Sequence, residues 1–205
     1  MTCRRVASTT ASSNPVRLIL GSASPRRREL LGQIGHVPAE IRPADIDETP
    51  LRGEPARDYV ARMAREKAMA LDCAADEVIL SADTTVTCGR RILGKPEDEK
   101  QAAEFLWLLS GRRHHVLTAV AVRTASGLRE RLVDTVVRFR PLSNADVNGY
   151  LASGEWQGKA GGYAIQGLAG AFIPWIQGSF TGVVGLPLAE TATLLAAAGL
   201  QGERA

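Results

Sequence analysis

Leu18-Ile19-Leu20-Gly21-Ser22-Ala23-Ser24-Pro25-Arg26-Arg27-Arg28 is the stretch whose reading sets the fold class. Its apolar run, stopped by glycine, reads as a short buried strand. Ser24-Pro25 then starts a helix, with serine at the N-cap and proline at the first helical position, where no N–H is needed. Glu29-Leu30-Leu31 carry that helix on towards Gly35. A strand passing straight into a helix, repeated as a mixture along the chain, argues for an α/β or mixed α+β domain.

Downstream, a polar loop over residues 43–55 holds Asp45, Asp47, Glu48 and Glu54. A helix is predicted over 56–71, with Val60, Met63, Ala64 and Leu71 on one face. Lys67 falls on that apolar stripe. Two readings stay open for it: a side chain snorkelling at the stripe's edge, or a lysine aimed into an enclosed pocket. Val78-Ile79-Leu80 is the next buried strand and delivers Ser81-Ala82-Asp83-Thr84-Thr85 at its end. A hairpin-like turn at Gly89-Arg90 leads to Gly94-Lys95-Pro96, and a helix opens at Pro96 with acids in its first turn, suiting the positive end of the helix dipole. Strands over 116–122 and 131–139 pair around Ser126-Gly127. Ser143 and Asp146 form a capping-box-like start for a helix ending near Gly154. A glycine-rich segment, 158–170, precedes a last strand pair and a final helix over 187–198. No internal repeat is visible.

The chain has 205 residues, 45% hydrophobic and 23% charged. That length fits one domain, or two small lobes sharing a core, and the composition excludes global disorder, collagen and coiled coil. No apolar run is long enough for a membrane helix. Cys3, Cys73 and Cys88 are scattered and odd in number, which favours a reducing, cytoplasmic compartment over a disulfide framework. The net charge is +3, and no acidic residue precedes Glu29 although six arginines do. Residues 1–16, rich in Ser, Thr and Ala, read as a disordered extension in preference to a targeting presequence. The folded domain is expected over 17–202.

Arg26, Arg27 and Arg28 crowd the first turn of a helix, whose dipole is already positive there. At an exposed site each such charge costs a few tenths of a kcal/mol, roughly. The arrangement turns favourable once an anion sits among free N–H groups, hydroxyls and guanidinium forks; a solvated basic turn is the plainer alternative. Asp83 is the second signal, since open α/β sheets place ligands at the carboxyl ends of their strands. Its plainer reading is a turn residue. Gly89 to Lys95 satisfies GxxxxGK, but Pro96 stands where the magnesium-binding hydroxyl of a phosphate loop belongs. The histidines lack HExxH spacing and no GxSxG elbow is present, so zinc and serine-hydrolase chemistry are unsupported.

These motifs occur in the order found in Maf proteins. Ser22-Ala23-Ser24-Pro25-Arg26-Arg27, Arg65-Glu66-Lys67-Ala68, Ala82-Asp83-Thr84, Gly94-Lys95-Pro96, and Leu109-Ser110-Gly111 with His114 carry the first part of the resemblance. Lys159-Ala160-Gly161-Gly162-Tyr163 with Ile165-Gln166-Gly167, and Val184-Gly185-Leu186-Pro187, complete it. The resemblance spans about Leu18 to Leu200. It implies a fold like that of inosine triphosphate pyrophosphatase, a mixed twisted sheet flanked by helices with a central cleft. It also implies hydrolysis of nucleoside triphosphates between the α and β phosphates, with a divalent cation, magnesium or manganese. Asp83 matches the family's catalytic base. Arg26, Thr84 and Gln166 match positions that the dTTP/UTP branch uses for selection. Ser22, Arg27, Glu48, Lys67 and Lys95 match further polar positions of the cleft, with Asp83 and Glu48 the candidate metal ligands.

The implied partner is a nucleoside triphosphate, without membrane or any required nucleic acid, and a homodimer is compatible with it. Two departures stand out: Gly158 where the family often has Asp, and Gly94 where some members carry an acid. A second reading is a non-catalytic nucleotide- or nucleic-acid-binding regulator of septum formation. Asp83 separates the two. A polyphosphate-binding module gains nothing from a carboxylate facing its ligand, whereas a hydrolase needs one to hold a metal or activate water.

Overall fold

The computed structural model describes residues 16–202; the expected extension, apart from Val16, lies outside them. The chain forms β1 (Arg17–Leu20), α1 (Pro25–Gln33), β2 (Glu40–Ile41), α2 (Ala56–Met69), β3 (Glu77–Cys88), β4 (Arg91–Leu93) and α3 (Glu99–Leu109). Then follow β5 (Arg113–Thr124), β6 (Gly127–Arg138), α4 (Asn144–Ala152), β7 (Trp175–Gln177), α5 (Phe180–Val184) and α6 (Leu188–Ala197). The strands make one mixed sheet in the order β2-β1-β3-β5-β6-β7, with β4 paired to β3. This is the expected mixed sheet flanked by helices.

β1 and β3 run parallel, which requires a crossover, and α2 supplies it. Val60, Ala64 and Ala68 of α2 pack on Leu117, Ala119 and Ala121 of β5. The opposite face of the sheet carries the larger core, where α1, α3, α4 and α6 lay down residues such as Leu31, Leu106, Leu151 and Leu195. Among the described residues no helix is long and apolar enough to cross a membrane.

Two expectations need correction. β3 does not end at Leu80; it continues to Cys88, so Asp83 sits inside a strand. The polar run after Leu80 stays extended because β5 pairs with it residue for residue, Asp83 opposite Ala119 and Thr84 opposite Thr118. The last strand pair is instead a single edge strand, β7, followed by the short helix α5. The glycine-rich segment folds into two 3-10 turns, Ala160–Gly162 and Leu168–Phe172. Gly161 has φ of 71°, and a side chain there would collide with Val86. That close approach is open only to glycine.

Candidate active site

β3 has different neighbours along one edge. Leu80 pairs with Leu20 of β1, whereas Val86 pairs with Leu93 of β4. Between them, over residues 81–85, that edge has no strand beside it. A cleft of about 510 Å³ lies at this gap, within the size of small-molecule sites. Side chains alternate along a strand, so Ser81, Asp83 and Thr85 share the α2 face while Thr84 and Val86 project to the other. The cleft is lined by Asp83, Thr84 and Val86 together.

On the α2 face, Lys67 is buried, 9% exposed, which decides between its two readings. It reaches into the cleft, with Nζ 2.7 Å from Asp83 Oδ1 and 3.0 Å from Glu48 Oε1. Asp83 is buried as well, and the Thr85 hydroxyl donates to its second oxygen at 3.5 Å. Helical spacing from Val60 brings Lys67 to the sheet, and the cleft gives its ammonium two carboxylates to neutralise it. Glu48 comes from the irregular segment between β2 and α2. Both carboxylates thus converge on one point.

On the other face Arg27 is held in three directions. Its Nε donates to the Gly185 carbonyl at 2.9 Å, Nη1 to Ser22 Oγ at 2.9 Å and Nη2 to Thr84 Oγ1 at 3.4 Å. Thr118 Oγ1 lies 3.1 Å from Thr84 Oγ1 and 2.8 Å from the Gly182 carbonyl. A hydroxyl has one proton, and the shorter contact takes it. Burial lowers the Arg27 pKa, an effect Asp83 partly offsets; burial also lowers that of Arg26. Both remain charged at any ordinary pH. Ser24 caps α1 by position but makes no side-chain capping bond; its own N–H donates to Ser22 Oγ at 3.3 Å.

Ser22, Arg26, Arg27, Glu48, Lys67, Asp83, Thr84 and Lys95 all line the cleft. Gln166 does not. It is exposed, and in the turn after it Leu168 N–H donates to Glu155 at 2.9 Å. In its place the wall is built by Gln157, Gly158, Lys159, Ala160 and Tyr163. The sequence reading gave no role to Gln157 or Lys159, although Lys159 opens one of the quoted motifs. Lys159 Nζ donates to the Gln157 carbonyl at 3.1 Å, and burial together with the neighbouring Arg26 lowers its pKa. Like charges brought this close on one wall call for an anion. Gly158, one of the two departures, sits on this wall at φ 65° with nothing within reach of an added Cβ.

Chemically, the cleft joins a carboxylate beside an ammonium to a wall of guanidinium, ammonium and hydroxyl donors. Among the described residues no group of three or more His, Cys, Asp or Glu side chains could hold a metal. Asp83 and Glu48 are nevertheless close enough to share one cation, Lys67, and hard oxygen donors in that number suit magnesium when substrate phosphates supply the rest.

A family model described as Maf-like protein matches residues 17–198. A dTTP/UTP pyrophosphatase of Roseobacter denitrificans is 65% identical over 184 residues, covering 90% of this chain and 98% of that one. The dTTP/UTP pyrophosphatase of Cereibacter sphaeroides is 66% identical over 183 residues, covering 89% and 95%. A solved nucleoside-triphosphatase / dITP/XTP pyrophosphatase from Mycobacterium abscessus is a distant likeness at 18% identity and TM-score 0.36, covering 62% of this chain and 75% of that one.

Proposed function

The chain belongs to the Maf family, and on that premise we propose that it hydrolyses dTTP and UTP between the α and β phosphates, releasing monophosphate and pyrophosphate. The observation that carries this reading is the meeting, at the gap beside β3, of buried Asp83 with a wall of cationic and hydroxyl donors. Relatives above 60% identity that are named dTTP/UTP pyrophosphatase support it over a non-catalytic regulator of septum formation. The scattered cysteines suit work in the cytoplasm.

Asp83 accepts the proton of the attacking water, a role for which a carboxylate must stay ionised. Lys67, 2.7 Å away, holds that carboxylate in place. Arg27, already fixed through Ser22 and Gly185, presents its guanidinium to phosphate oxygens without further ordering. Lys95 adds a point charge to the same anion site. Asp83 and Glu48 would hold a divalent cation, magnesium or manganese, when the triphosphate enters. Such an ion supplies charge neutralisation between carboxylate and phosphate oxygens. Arg26 and Thr84 are the proposed selection residues within the cleft. Gln166, exposed and off the wall, is assigned no contact.

The test is pyrophosphate release from a panel of ordinary and modified nucleoside triphosphates. Release from dTTP and UTP ahead of the purine nucleotides is expected. Orthophosphate as the sole phosphate product, or indifference to the base, refutes the reading.

A further inference from the structure

Glu48 is the one cleft carboxylate that no regular element carries. It sits in the irregular segment between β2 and α2, and its side chain is 46% exposed. A carboxylate on so long a polar loop has no fixed place unless something outside the cleft supplies it, because the conformational entropy of the loop backbone opposes its ordering. The structure contains such a device, built on the side of α2 away from the sheet. Tyr59 Oη donates to the backbone carbonyl of Glu48 itself, at 2.9 Å. Arg62 grips the next stretch: Nε and Nη2 each lie 2.7 Å from an oxygen of Glu54, and Nη2 also donates to the Thr49 carbonyl at 3.2 Å.

The grip is closed from both ends. Glu54 Oε2 accepts from Leu51 N–H at 3.0 Å, and Thr49 N–H donates to Asp47 Oδ1 at 2.9 Å. Arg62 in turn is steadied by Glu66, one turn along α2 at 3.2 Å, and stacks on the Tyr59 ring at 5.7 Å. Tyr59, Arg62 and Glu66 form one stripe of the helix, while Val60, Ala64 and Lys67 form another. One helix therefore carries Lys67, which receives the Glu48 carboxylate, and also the clamp that fixes the Glu48 backbone. Tyr59, Arg62 and Glu54 are themselves outside the cleft lining, and Glu48 is the lining residue whose backbone Tyr59 holds.

We propose that Arg62, aided by Tyr59, is a positioning residue that sets the Glu48 carboxylate opposite Asp83 and Lys67. The inference rests on the proposed function for its activity readout, and on backbone protection for a readout independent of it. A bidentate arginine–carboxylate pair that also holds a main-chain carbonyl is not replaceable by a lysine. Misplacing a group by about 1 Å is enough to cost up to about a hundredfold in rate.

The experiment is a double-mutant cycle with Arg62→Gln and Glu48→Gln, joined by amide hydrogen exchange over residues 44–54. Arg62→Gln alone should lower kcat by about ten- to a hundredfold and raise exchange in that segment. In the Glu48→Gln background it should change kcat by less than about twofold, because nothing remains to be positioned. Tyr59→Phe, which removes only a hydroxyl, should show the same pattern with a smaller amplitude. An Arg62 effect that persists in full without the Glu48 carboxylate overturns the inference, as does unchanged exchange over 44–54. Glu48→Gln with wild-type kinetics would fault the assignment of Glu48 to the site and not the clamp, which exchange reads separately.

Discussion

Replacing Asp83 by asparagine removes a negative charge and a proton acceptor at almost constant shape. In the structure one oxygen of Asp83 faces Lys67 Nζ at 2.7 Å and the other takes the Thr85 hydroxyl at 3.5 Å. Stripping one partner from a buried ion pair costs about 3–5 kcal/mol when the survivor is left uncompensated. Here it is not: Glu48 remains 3.0 Å from the ammonium, and the asparagine carbonyl still accepts from it. The loss should therefore approach that of one impaired hydrogen bond to a charged group, about 1.5–3 kcal/mol, which a domain of ordinary stability survives. Turnover should fall much further, by at least about 10²–10⁴-fold for loss of a general base. Affinity for a non-hydrolysable UTP analogue should hold or rise, since a carboxylate facing phosphate is gone. Pyrophosphate release, calorimetric binding and denaturant unfolding on one preparation separate the three effects. A folded Asp83→Asn protein that keeps more than about a tenth of wild-type turnover refutes the mechanism, and Glu48 becomes the next carboxylate to examine.

Arg27→Ala deletes a guanidinium fixed by Gly185, Ser22 and Thr84, and kcat/KM should drop by roughly ten- to a hundredfold; unchanged kinetics would leave no anion site there. Excess chelator should stop turnover and added magnesium should restore it, whereas full turnover in chelator excludes a cation shared by Asp83 and Glu48. His114 is fully buried against Phe139 and Tyr163, and burial lowers its pKa from 6.5 to about 4. Above pH about 6.5 both folded and unfolded chains hold it neutral; as pH falls towards about 4 only the unfolded chain gains the proton, so stability declines by up to about 3 kcal/mol. Thermal unfolding followed from pH 7.5 to 4.5 (chosen to span about that window) should show a shallower slope for His114→Gln, and an identical slope would refute this account.

Much of this was legible in the sequence because it lies in short-range pattern. The strand-to-helix opening at Leu18 to Arg28, the helical stripe bearing Lys67 and the capping box at Ser143 each follow from spacing that tertiary contacts did not override. The extent of β3 was not legible. Leu80 closes an apolar run, and nothing local says that β5 will keep Ser81, Asp83 and Thr85 extended beyond it. The segment around Val183 and Val184 failed for another reason: a short apolar run has no period to tell strand from helix, and Ser179 caps it into α5 by accepting from Gly182 N–H. Within the site, Tyr59, Arg62 and Glu54 look like an ordinary solvated face, since their meaning depends on a loop folding back on the helix it leads into. Gln157 and Lys159 reach the cleft only through the turns of the glycine-rich segment.

The position of Asp83 inside a strand also explains why one cleft can hold chemistry and binding together. Adjacent residues of a strand point to opposite faces of the sheet, so Asp83 and Thr84 could not share a pocket on either face alone. Their separation is built in by the pairing: Asp83 lies opposite Ala119 on the α2 side, Thr84 opposite Thr118 on the other. They share a cleft because β1 leaves β3 at Leu80 and β4 joins it only at Val86. At that interval the edge of β3 is open, and a ligand lying across it meets both faces. Lys67 and Glu48 then approach from α2 and its leading loop, while Arg27 approaches from α1 and Ser22 from the turn before it. Extending β1 across the gap would draw Ser22 into the strand, shift the start of α1 and separate Asp83 from Arg27 by a strand. The open edge, more than any single residue, is what brings one carboxylate and one cationic wall into the same cleft.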